Sequence, residues 1–132
     1  MWIPYAEVRK HQPDFRVKYR IYSAEEGGRK TPVYQGLRCD FAYAGDDAGM
    51  DRIYAIHPEF EEAAGKVIRD RSYPVPPAGT ATMWILFPEM RREVHLAKMK
   101  PGVTGFMMEG PKRIAEVEVI EIVGLYHNAE TL

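Results

Sequence analysis

From Phe15 to Ile21 the chain alternates apolar and basic residues without a break: Phe15, Val17, Tyr19 and Ile21 fall on one face, Arg16, Lys18 and Arg20 on the other. A strict period of two specifies a half-buried β-strand and excludes an amphipathic helix over the same stretch. Most of the remaining order has the same character. Gly27-Gly28 punctuates the chain, and strands are expected at Leu37–Tyr43, Ile53–Ile56, Val67–Arg69, Thr80–Phe87, Val103–Met108 and Lys112–Val123, all β-branched or aromatic and bounded by Pro, Gly or Asp. In the last of these, Glu116 and Glu118 share a face while Glu121 falls on the other, so a bulge or strong coil near Ile120 is expected to restore the phase. Helix competes in two places. Pro58–Ala64 opens with proline and acids, as a first turn does, and Gly65 ends it. Pro88–Glu93 opens the same way, and Val94–Leu96 then alternates as a strand. At least six strands with one or two helical turns describe an all-β domain, a barrel or a sandwich.

At 132 residues and 15.1 kDa the chain has the size of a single domain. Met1–Pro13 and Tyr126–Leu132 are expected to be its loosest parts. The lone Cys39 excludes an internal disulfide and any CxxC metal site, and with no signal-like N-terminus a reducing cytoplasm is expected. No apolar run approaches the ~20 residues of a helical membrane span. Net charge is −1. Residues 1–39 carry eight basic and four acidic residues, whereas 40–62 carry seven acids and only Arg52, so any electrostatic recognition would be local.

Residues 25–41, Glu-Glu-Gly-Gly-Arg-Lys-Thr-Pro-Val-Tyr-Gln-Gly-Leu-Arg-Cys-Asp-Phe, are similar to the signature of the C-terminal barrel of translation elongation factor Tu. Glu25, Glu26, Gly27, Gly28, Arg29, Thr31, Pro32, Gly36, Arg38 and Phe41 carry the match. Lys100-Pro-Gly-Val-Thr-Gly-Phe-Met-Met-Glu-Gly110, followed by Lys112 and a Val/Ile-rich strand, resembles that family's penultimate strand, turn and closing strand. The two motifs cover about 13–41 and 94–123, and residues 44–77 diverge from the family as an insertion. The resemblance implies a six-stranded antiparallel Greek-key barrel, with core at about 13–125 of a single 1–132 domain. It implies no GTP chemistry, because the family's GxxxxGK[ST] phosphate loop belongs to another domain and the string is absent here. In the family the barrel grips tRNA and docks on the GTPase domain. Here Met108 stands where a basic or polar residue contacts tRNA, Ala115 and Val117 replace glycines, and Glu116 lies between them. A carboxylate beside a phosphate backbone repels it.

The expected role is therefore that of a non-catalytic binding module for a protein partner or a second copy, with no cofactor, no metal and no membrane. The candidate contact residues are Arg29, Lys30, Thr31, Arg38, Phe106, Met108, Glu109, Lys112 and Arg113. Alternation puts Phe106 and Met108 on one face and Met107 on the other, so Phe106 and Met108, with Met99 nearby, either form an adaptable contact patch or are buried in a slightly enlarged core. The alternative is a tRNA- or rRNA-binding module using Arg16, Lys18, Arg20, Arg29, Lys30, Lys112 and Arg113. A third reading is a hydrolase pairing Cys39 with a histidine. His11, His57, His95 and His127 show no metal-binding spacing, and the pairs Asp46-Asp47 and Glu61-Glu62 read as solvated charge.

Overall fold

The computed structural model describes residues 1–46 and 52–132, so Asp47 of the first acidic pair and Asp51 of the acidic run lie outside the described residues. The chain forms α1 (Tyr5–Arg9), β1 (Phe15–Ile21), β2 (Asp40–Tyr43), β3 (Tyr54–Phe60) and β4 (Ala78–Ile85). A helical segment follows, made of α2 (Pro88–Met90), a π-helical turn (Arg91–His95) and α3 (Leu96–Lys98). Strands β5 (Thr104–Glu109) and β6 (Lys112–Ile122) and helix α4 (Leu125–Thr131) complete it. The six strands close a barrel in the order β1-β4-β3-β2-β5-β6, every pairing antiparallel. The meander β2-β3-β4 with β1 returning beside β4 is the Greek-key arrangement. Closure removes the exposed edges that an open sheet would present.

The alternation of β1 becomes two environments. Phe15, Val17 and Tyr19 point into the core with Phe41, Ile56, Phe60, Met83, Met107 and Val119. On the outer face Arg20 meets Glu116 at 2.9 Å, Lys18 meets Glu118 at 3.5 Å and Arg16 lies 3.9 Å from Glu121. The expected bulge makes this ladder possible. Arg16 pairs with Glu121 and Val17 with Val119, so Ile120 is the extra residue and Glu121 rejoins the face of Glu116 and Glu118.

Three sequence expectations are corrected. Pro58–Ala64 is not a helix: β3 runs through Pro58 to Phe60. Pro58 sits opposite Met83, and the β3 residues that bond to β4 are its odd-numbered neighbours, shown by Leu86 N–H to the Ala55 carbonyl and Glu61 N–H to the Thr80 carbonyl. The amide that Pro58 lacks would therefore face β2, whose ladder with β3 covers only Tyr54 and Ala55. The β-strand at Val67–Arg69 reduces to one bridge, Glu61 with Val67. Val94–Leu96 continues the helical segment instead of forming a strand, because Arg91 and His95, four apart, are drawn inward by partners in the barrel.

Both ends are docked as well. Arg91, 2% exposed, places its Nε 2.7 Å from Oδ1 of the fully buried Asp14. The same carboxylate accepts the Ile85 backbone N–H and the Asn128 Nδ2, which ties β4 and α4 to the start of β1. Arg92 Nη1 donates to the Ala129 and Leu132 carbonyls at the end of α4. At the other end α1 lies across the outer face of β3 and β4, and Tyr5 packs edge-on against Trp84. None of the helices among the described residues is long and apolar enough to cross a membrane.

Candidate binding surfaces on the barrel

The turn after β1 positions the first group of expected contact residues. Ser23 and Glu26 exchange backbone and side-chain hydrogen bonds across it. Gly27 supplies φ +93°, whereas Gly28 is needed for space: a Cβ there would run into the Tyr22 carbonyl. Glu26 takes the Ser23 amide and the Arg20 guanidinium as partners, which hold its carboxyl below the usual range. Arg29 reaches instead to Glu109 at 3.3 Å, joining this turn to the β5-β6 hairpin, while Lys30 and Thr31 are exposed. Lys112, at the same hairpin, is exposed too.

The expected Phe106–Met108 patch divides. Met99, Met107 and Met108 are at most 2% exposed. Met107 joins the core cluster and Met108 does not, as alternation along β5 requires, but Met108 is covered all the same; across the hairpin Met107 pairs with Ala115 and Met108 with Arg113, so Ile114 is an extra residue in β6. Phe106 alone stays half-buried, with the Arg113 guanidinium 4.0 Å above its ring. It borders a groove of about 590 Å³ at the barrel mouth, floored by Tyr19, Ala44, Ala78, Gly79, Gly105 and Val117. Gly105 is fixed by the core, since a Cβ there would lie 2.7 Å from the Phe41 ring and 2.6 Å from the Ala42 carbonyl. Lys18, Arg20, Glu116 and Glu118 form the groove's rim.

Cys39 is buried, and burial drives its thiol well above the ordinary range, with Asp40 and Glu109 adding to the effect. A neutral, inaccessible thiol is a poor nucleophile. Native protein at pH 8 is expected to resist iodoacetamide until denaturant is added; stoichiometric labelling within minutes in native buffer would contradict this burial. His95 is also committed internally. Burial lowers its pKa to about 4, and its Nδ1 sits 2.6 Å from the Tyr43 hydroxyl, itself raised by burial, so the tyrosine donates to a neutral imidazole. Among the described residues no group of three or more His, Cys, Asp or Glu could hold a metal ion.

Sequence reasoning missed a cluster beneath α1. Glu59 is 1% exposed, and its Oε2 accepts the Trp2 indole N–H at 2.8 Å and the Tyr5 backbone N–H at 2.7 Å. Burial raises its pKa against the pull of those two donors. Next to it His57, kept neutral by burial and by Arg9 and Arg38, receives a hydrogen bond from Arg9 Nη2 at 3.3 Å. Arg38, an expected contact residue, is exposed and forms no ion pair among the described residues. Read without the helix assigned to Pro58, the outward residues Ala55, His57 and Glu59 were visible as one face of a strand. Comparison of the chain with protein-family models and with curated protein sequences gives no match.

Proposed function

We propose that this chain is a non-catalytic binding module, of the elongation-factor-Tu C-terminal barrel type that its motifs resemble, and that its partner is a protein. The observation that carries the reading is the composition of the mouth groove. Its floor is apolar and lined by small residues, Phe106 offers an accessible aromatic edge, and the rim carries both signs of charge in paired form. Such a surface suits a protein segment with an apolar anchor and polar flanks. It suits a polyanion poorly. Arg16, Lys18, Arg20 and Arg29, four of the residues an RNA would need, already face Glu61, Glu118, Glu116 and Glu109. Each phosphate contact would have to displace a carboxylate, which removes the counterion-release gain that drives such binding.

Two measurements test this. A gel shift with bulk tRNA at low salt is expected to show no complex; a complex that weakens steeply between ~50 and ~200 mM salt would replace the protein reading by the RNA one. Affinity capture from native extract is expected to retain a polypeptide that the Phe106→Asp variant loses while melting at the wild-type temperature. Identical capture by both proteins would refute a role for the groove.

A further inference from the structure

The outer face of β3 carries a second, chemically different site. The β2-β3 ladder ends at Asp40 opposite Ala55; just beyond it on each side stand Arg38 and His57, close enough for the guanidinium to act on the imidazole, and on its other side His57 is paired with Trp84. Above this row lies Arg9 from α1, its guanidinium 4.1 Å from the Tyr5 ring centroid and 5.8 Å from that of Trp84. Two aromatic faces thus fix the orientation of the fork. We propose that Arg9, Arg38 and His57 form a binding site for a phosphoryl-type oxyanion.

Four observations converge on it. Neither arginine has a carboxylate within ion-pair distance among the described residues, although two guanidinium groups held on one face repel each other. The nearest acid, Glu59, is sealed below the surface and committed to Trp2 and Tyr5. Arg9 can only donate, so His57 accepts at Nδ1 and carries its own proton on Nε2, a further donor. Finally, the Tyr5 hydroxyl is buried without a hydrogen-bond partner, within electrostatic reach of Arg9, Arg38 and Glu59. An orphaned buried hydroxyl is costly, so the cluster holds an unsatisfied donor beside its two unpaired cations. A phosphoryl group fits better than a carboxylate because its oxygens diverge toward donors arriving from three directions, and its second charge answers the second arginine.

The charged and titratable groups around His57 are Arg9 and Tyr5 from α1, Arg38 from the segment before β2, and Glu59 on β3 itself; His11 packs tilted against Trp84, ring centroids 5.3 Å apart. Its protonation is opposed by both arginines, so an anion that neutralises them must raise its titration midpoint. The test is NMR titration of the histidine ring resonances with inorganic phosphate, ionic strength held constant with chloride. His57→Gln identifies the resonance. The expected result is a saturable shift of His57 with a raised midpoint. Arg38→Gln, at an exposed position, should weaken it about tenfold without changing the melting temperature in phosphate-free buffer. A linear, unsaturable response, or an undiminished one in Arg38→Gln, would overturn the site. A phosphoserine tetrapeptide binding more tightly than inorganic phosphate assigns the phosphoryl group to a peptide, and equal affinity assigns it to a small phosphate monoester.

Discussion

Replacing Arg91 by methionine is expected to lower the unfolding free energy by about 3–5 kcal/mol, the range found when one member of a buried ion pair is removed. Asp14 is the point where four elements meet. Its carboxylate receives Arg91 through Nε and Nη2, the Ile85 amide and the Asn128 side chain, while its own backbone carbonyl accepts the Val123 and Leu125 amides. Arg91 also donates to the Ile85 carbonyl at 3.1 Å, so its loss strands a charge and thins the contacts of β4. Urea denaturation reads the change as a shifted midpoint with an unchanged slope. Hydrogen exchange should show α4 and the helical segment losing protection first, because this carboxylate ties both to the start of β1. The double variant Asp14→Leu/Arg91→Met should recover part of the loss by removing the stranded charge, though not all, since the Ile85 amide and Asn128 then lack their acceptor. A cost below about 1 kcal/mol for Arg91→Met would mean that the pair is solvated and the docking of α4 rests on apolar contacts alone.

That network also marks the boundary of what the sequence makes legible. Period-two alternation in β1 and the phase slip at Ile120 are local signals, and the strand and its bulge are readable from them. Gly110 and its neighbours punctuate the β5-β6 hairpin as expected. Asp14 and Arg91 stand 77 positions apart, and nothing in their neighbours announces that they meet. The helical segment was therefore misread at Val94–Leu96, where three residues are too few to distinguish a strand from a helix whose polar side chains point inward. Pro58 misled for a related reason. A proline followed by acids is a good helix start on local grounds, but its missing N–H is equally harmless in a strand whose neighbour has ended. With β3 shortened to Ile56, the outward row of His57 and Glu59 disappeared, and with it the company that Arg38 keeps. Met108 shows the converse limit: it is buried although it lies outside the core cluster, and alternation along β5 says nothing of what covers its outer face.

The seam between β2 and β3 leads to the second large effect, at Gln35. The ladder with β2 ends at Tyr54 and Ala55 and Pro58 has no amide to offer, so beyond Pro58 it is Phe60 whose backbone turns toward the gap. The side chain of Gln35, 1% exposed, fills the role of the absent strand. Its Oε1 accepts the Phe60 N–H at 2.9 Å, and its Nε2 donates to the Phe60 carbonyl at 2.8 Å and the Ile68 carbonyl at 2.9 Å. Because Phe60 N–H can only donate, the amide orientation is fixed by the network. Gln35→Leu keeps similar volume and removes all three bonds. The Phe60 carbonyl retains the Ile68 amide, but the Phe60 N–H is left buried and alone, for a combined cost of about 2–4 kcal/mol. Gln35→Glu separates hydrogen bonding from volume: it preserves the acceptor for Phe60 N–H yet turns a carboxylate oxygen toward two carbonyls, so at neutral pH it should be at least as damaging as leucine. Lowering the pH protonates that carboxyl and restores a donor, and the glutamate variant should then regain stability relative to the leucine variant. Thermal unfolding of the three proteins at pH 7 and pH 5 distinguishes these outcomes. Equal melting temperatures for wild type and Gln35→Leu would show that water, not this amide, closes the barrel at its weakest seam.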